Sequence, residues 1–251
     1  MMMQWIARPF ASTGIRRRGK CLSLALLMVS SGSNAQFSRG ASPALSPAEI
    51  IARMEQAMTK RVEQLPSYRA QRRYSVSHPL VGNSSYLLVE ERFSAPEEKQ
   101  FRVLERGGPR TIEKRVFQRL LQVERDTARS PAREAVDLCR RNYNFTFHRY
   151  DSAVGAYIFE VEPRTSNPYL LRGRIWVNGQ DYGVQRIEGE PARRHSSLVR
   201  QTRFVHEFVK FGDFWFPVRH HSETDLILFG RATLEIAYFD YQWEPRQEAH
   251  Q

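Results

Sequence analysis

Apolar residues recur every three or four positions near the start of the mature-looking chain: Ile51, Met54, Met58, Val62 and Leu65 make one stripe, and Pro66 ends it. Just before the stripe stands Ser46-Pro47-Ala48-Glu49. Serine caps, proline takes the first helical position, and glutamate three residues on completes a capping box. From Tyr68 the period drops to two. Runs near 68–77, 85–94 and 99–105 read as strands, with turns at Pro79-Leu80-Val81-Gly82-Asn83 and Ala95-Pro96-Glu97-Glu98. A basic helical stretch covers about 112–128, with Val116, Phe117, Leu120, Leu121 and Val123 on its apolar side, and Ser130-Pro131 opens a second short helix to about Arg141. From Tyr143 on, alternation predicts a meander of strands at 143–150, 155–162, 170–177, 182–189, 199–211, 214–225 and 228–243. The connections between them are too short for parallel crossovers, which take about a dozen residues, so neighbours are antiparallel.

The alternation also assigns faces. With Asn178–Asp181 as a four-residue loop, Val177 pairs with Tyr182 and Ile175 with Val184. These four share a face with Leu171 and Gly173, while Arg172, Arg174 and Trp176 face the other way beside Gly183 and Gln185. In the last strand Leu228, Gly230, Ala232, Leu234, Ile236 and Tyr238 oppose Phe229, Arg231, Thr233 and Glu235. One face is dry and one wet. Curling such a sheet into a full or partial barrel also removes exposed edges. The methionine-bearing helix can fill the dry face, or the sheet can outsize its helices and leave a lipid-sized cavity; the pattern permits both.

Residues 1–35 change the charge balance. Arg16, Arg17, Arg18 and Lys20 precede a short apolar run, Cys21–Val29, and then Ser33-Asn34-Ala35, the layout of a secretory leader cut before Gln36. That apolar run is shorter than the roughly 20 residues of a bilayer span. Residues 36–45 read as a tether and 46–251 as a single domain. Without Arg8 and the four basic residues above, the net charge falls from +11 to +6. A surplus of that size suits an anionic surface better than nucleic acid. With 41% hydrophobic and 26% charged residues and a mean hydropathy of -0.55, the chain can bury a core and stay in water. Cys139 alone remains after cleavage, so no internal disulfide forms and packing must hold the fold.

Candidate chemistry is sparse. His206-Glu207 lacks the second histidine four residues on that a zinc-protease helix needs, and the segment reads as a strand. With Phe211 opposite Phe214, His206 opposes Arg219 and Val205 opposes His220, so His206 and His220 point to opposite faces; a bulge near Pro217 would change this. Cys139, between Leu138 and Arg140, reads as a half-buried helix cysteine. No nucleophile elbow, phosphate loop or metal-ligand spacing stands out, and no catalytic residue, metal or cofactor is expected. Arg115, Arg119, Arg125, Arg129, Arg133, Arg140 and Arg141 read as a solvated helix face that could also meet an anionic membrane or a partner.

Two long runs carry a likeness. LLRGRIWVNGQDYGVQRIEGEPARR and VRQTRFVHEFVKFGDFWFPVRHHSETDLILFGRATLEIAYFDY, with a weaker echo in KRVFQRLLQVERD, resemble uncharacterised bacterial members of the outer-membrane lipoprotein-sorting (LolA-like) family. The resemblance covers about 143–241. It implies an α+β fold, a half-open antiparallel barrel built on a long meander and capped by helices, whose hollow receives acyl chains. The expected function is a periplasmic (alternatively secreted) monomeric carrier or receptor for a lipid or acylated protein, working with an inner- or outer-membrane protein. The alternative is an envelope sensor or adaptor with no transport role. Met54, Met58, Leu171, Ile175, Val177, Val184, Leu234 and Ile236 are the expected cavity lining.

Overall fold

Ser46 starts the fold as expected: its hydroxyl accepts the Glu49 N–H at 3.3 Å, and the Glu49 carboxylate accepts the Ser46 N–H at 2.8 Å. Helix α1 (Pro47–Gln64) follows, burying Ile50, Ile51 and Met54. The computed structural model describes residues 45–65, 67–79, 82–94, 98–129, 132–194 and 196–243. The leader expected at 1–35 lies outside the described residues.

Among the described residues ten strands form one antiparallel sheet: β1 (Ser67–His78), β2 (Gly82–Ser94), β3 (Glu98–Gly107), β4 (Tyr143–Asp151), β5 (Ala156–Pro163), β6 (Leu171–Asn178), β7 (Val184–Pro191), β8 (Val199–Phe211), β9 (Phe214–Leu226) and β10 (Gly230–Trp243). Their order is β3-β2-β1-β10-β9-β8-β7-β6-β5-β4. Two meanders, β1–β3 and β4–β10, are therefore stitched together by pairing of the first and last strands. The edges are β3 and β4, which follow one another in sequence, so residues 108–142 must carry the chain from one edge to the other. Of these, residues 110–127 cross the inner face, through α2 (Arg110–Ile112), a π-helical stretch (Glu113–Phe117) and α3 (Gln118–Thr127). The architecture is a half-open antiparallel barrel capped by helices, the α+β class expected.

Three local readings need correction. Residues 132–142 form turns rather than a second helix. The Glu134 carbonyl is taken by the Asn142 amide at 2.9 Å and the Arg141 guanidinium at 3.1 Å, so side chains occupy an acceptor that helical backbone would need. In the β6–β7 hairpin Val177 pairs with Val184 and Ile175 with Ile187, with a bulge between. The Asn178 side chain explains the wider loop: it accepts the Gln180 and Asp181 N–H groups at 2.8 and 3.1 Å, while the Asn178 N–H donates to the Gly183 carbonyl at 2.8 Å. Leu228 belongs to the β9–β10 turn, with φ 70° and 90% exposure, rather than to the dry face.

Candidate functional site: a cavity between sheet and helices

One part of the inner face is filled. Val116, Phe117 and Leu121 pack onto Tyr74, Val76, Leu87, Val89, Leu234 and Ile236. The π turn makes this possible. The Gln118 N–H reaches back to the Glu113 carbonyl, and Val116 and Phe117, adjacent in sequence, are both buried.

Another part is not filled. Between the second half of α1, the end of α3, the turns at 133–141 and strands β7–β10 lies a cavity of about 1370 Å³. Met58 and Val62 line it from α1, Leu120 and Val123 from α3, and Leu138 and the half-buried Cys139 from the turns. Val184, Ile187, Phe204 and Phe208 supply the sheet side. The cap is tied down at both ends. Arg140 clasps the Glu55 carboxylate at 2.7 and 2.9 Å, and the Arg61 guanidinium donates to the Trp215 carbonyl at 3.1 Å.

The eight expected lining residues divide. Met58, Val184, Leu234 and Ile236 do border the cavity. Met54, Ile175 and Val177 do not: all three are 0% exposed, sealed inside the protein core. Leu171 is half-buried at the start of β6 and does not border the cavity either. The helical and strand periodicities place a residue on a face, but the cavity occupies only part of that face.

A charged cluster on the cavity wall was missed in the sequence. Arg72, 3% exposed, forms ion pairs with Glu91 and Glu124, and Lys99 lies 3.4 and 3.8 Å from the same two carboxylates. Tyr68 donates to Glu91 at 3.0 Å and Tyr74 to Glu124 at 2.8 Å. Two cations therefore meet two carboxylates. Burial opposes the Arg72 charge, but Glu124 and Glu91 hold its pKa well above the ordinary value. Burial likewise opposes the Glu124 charge, yet Arg72 and Lys99 hold that carboxyl down at about 2. A signal existed: Arg72 and Glu91 occupy the same alternating positions as Tyr68, Ala70, Tyr74 and Val76, and as Leu87, Val89 and Phe93. A charge in an apolar register reads as a buried pair.

The histidines also differ from expectation. Pro217 has no N–H to give the ladder, and pairing slips there: Phe208 faces Pro217, whereas Glu207 faces Arg219. The slip puts His206 opposite His220 on one face, with ring centroids 5.3 Å apart, and both border the cavity. His206 is pushed down to about 3, chiefly by burial and then by His220 and Arg72, and His220 to about 4, chiefly by burial. Both are neutral imidazoles at ordinary pH. Among the described residues no group of three or more His, Cys, Asp and Glu side chains is placed to hold a metal ion.

No family model and no curated protein sequence matches the chain. Solved structures do. One is a domain named for outer membrane lipoprotein sorting from Vibrio parahaemolyticus, 13% identical, covering 80% of this chain and 95% of that one at a TM-score of 0.47. A second is a DUF1329 family protein from Desulfovibrio piger, 11% identical over 78% and 93% at 0.41. A third is a LolA superfamily protein from Nitrosomonas europaea, 12% identical over 80% and 94% at 0.38. The chain is similar to LolA-superfamily structures.

Proposed function

We propose that this protein is an exported carrier or receptor that holds the acyl chains of a lipid or acylated protein in the cavity between sheet and helices. The cavity carries the reading. At about 1370 Å³ it is larger than ordinary small-molecule pockets, which span roughly 300–1,000 Å³. A sealed void this large would cost tens of kcal/mol at about 24 cal/mol per Å³, beyond the roughly 5–15 kcal/mol by which whole domains are stable. The space therefore holds solvent or ligand. Most of its wall surface is apolar, although charged side chains also border it, so water gains little against that surface, whereas each methylene that replaces it gains about 0.8 kcal/mol.

The basic, apolar and small-residue order of residues 16–35 supports export to the periplasm. No helix among the described residues is long and apolar enough to cross a membrane. Exposed Arg115 and Arg129, on the helical crossing, suit contact with an anionic bilayer or a membrane-protein partner. Titration with a fluorescent fatty-acyl probe tests the reading. Wild type takes the probe, and Val184→Trp, which fills part of the cavity, weakens it at least about tenfold with little loss of stability. A wild type that takes no acyl probe overturns the proposal.

A further inference from the structure

Three buried polar atoms on cavity-lining residues lack a hydrogen-bond partner among the described residues: Arg72 Nε, within the ion-pair cluster, and two on β8 and β9. Ser222 is 2% exposed, and neither its Oγ nor the His206 Nε2 has a hydrogen-bond partner among the described residues. Their placement follows from the sheet register. Ser222 pairs with Phe204 and His220 with His206, so Ser222 and the two histidines stand on successive inward rungs of β8 and β9, and all three border the cavity. Thr202 and Thr224, one rung further on, satisfy each other at 3.1 Å, which shows that this wall pairs its hydroxyls where it can. Leaving a buried donor or acceptor unmet costs about 1–3 kcal/mol, so two on neighbouring rungs call for a partner.

We propose that Ser222 and His206 form the seat for a neutral polar group of the bound ligand, the ester of an acyl glyceride, while its chains lie along the apolar walls. This rests on the cavity reading above and specifies its ligand. The group is neutral because of what surrounds it. The fixed charges that act on His206, Arg72, Lys99 and Glu124, are already balanced with Glu91, so a carboxylate or phosphate seated beside His206 would meet no uncommitted counter-charge there. A hydroxyl and an imidazole can instead donate to an ester carbonyl or accept from a glyceryl hydroxyl. A free glyceride and the diacylglyceryl group of an acylated protein share this chemistry.

Three probes separate the possibilities: monooleoylglycerol, a peptide bearing an N-terminal diacylglyceryl-cysteine, and octadecane, which has chains and no ester. With the purified full chain, Ser222→Ala and His206→Phe should each weaken the ester-bearing probe roughly three- to tenfold, the worth of one hydrogen bond. Octadecane binding should not change. Thermal melts identify any variant that has lost its fold, and Ser222→Ala, the removal of a single oxygen, remains decisive if His206→Phe fails to fold. Preference of wild type for the glyceride or for the peptide tells a free lipid from an acylated protein. Equal losses for octadecane and the ester probes, or none for either, overturn the seat while leaving the cavity reading intact. If no probe binds wild type, both fall.

Discussion

The inner face of one sheet is finished in two ways. Over β1, β2 and the middle of β10, Phe117, Val116 and Leu121 press onto Tyr74, Val76 and Leu87, and the space is closed. Over β7–β9, residues with the same alternation, Val184, Ile187, Phe204 and Phe208, look into open volume. The strands do not account for the difference. The cover does: α3 ends at Thr127, residues 132–142 are turns, and α1 meets the sheet side through Arg53 to Tyr182 and Arg61 to Trp215 while its Met58 and Val62 border the open volume. Whether such a sheet becomes a core or a container is decided by how much helix crosses it.

The largest break in this comparison comes at the seam between the two regions. Arg72→Met leaves Glu91, 0% exposed, and Glu124 without their main counter-charge and should cost about 3–5 kcal/mol in urea unfolding. Adding Glu91→Leu should recover part of that loss; no recovery would mean that the ion pairs matter less than packing around them. Next comes a direct contrast of the two halves. Phe117→Ala, on the closed side, should cost about 3–5 kcal/mol, whereas Phe208→Ala, whose ring already borders open space, should cost about 1 kcal/mol and weaken acyl-probe binding instead. Equal costs would contradict the division.

A change of pH probes the open half alone. His206 and His220 titrate near 3 and 4 in the folded state against 6.5 when unfolded, so the folded protein binds fewer protons below neutrality. Their contribution is complete above about pH 6.5 and is lost as pH falls toward 4. Urea midpoints should therefore drop by the equivalent of about 2–4 kcal/mol between pH 7 and 5, and the drop should vanish in a His206→Phe, His220→Phe double variant. The smallest effect belongs to the outer face. Arg174, 50% exposed beside Glu160 at 3.5 Å, should tolerate replacement by Asp with less than about 1 kcal/mol of change and no change in binding.

Alternation and punctuation made the strands legible. All ten, and α1 with its capping box, lie within a few residues of where period-two runs and Ser46-Pro47-Ala48-Glu49 place them. The likeness of the C-terminal runs gave the curl of the sheet. What the pattern could not give was depth. Ile175, Val177, Val184 and Leu234 are indistinguishable as inward strand residues, yet the first two are sealed and the last two border the cavity, a difference set by long-range packing that alternation does not carry. The histidine pair was hidden by one extra residue at Pro217, since a single-residue slip turns every later side chain to the other face. The Arg72–Glu91–Glu124 knot was readable in principle, from charges standing in apolar registers.

The central claim is that the uncovered half of the sheet is a container for acyl chains. Native mass spectrometry of the protein purified from the exported fraction, followed by organic extraction, tests it most directly. The account predicts a bound mass that extracts as an acyl-bearing molecule and that Val184→Trp diminishes. A protein that flies empty, and stays empty after incubation with glycerides and acylated peptide, would contradict it.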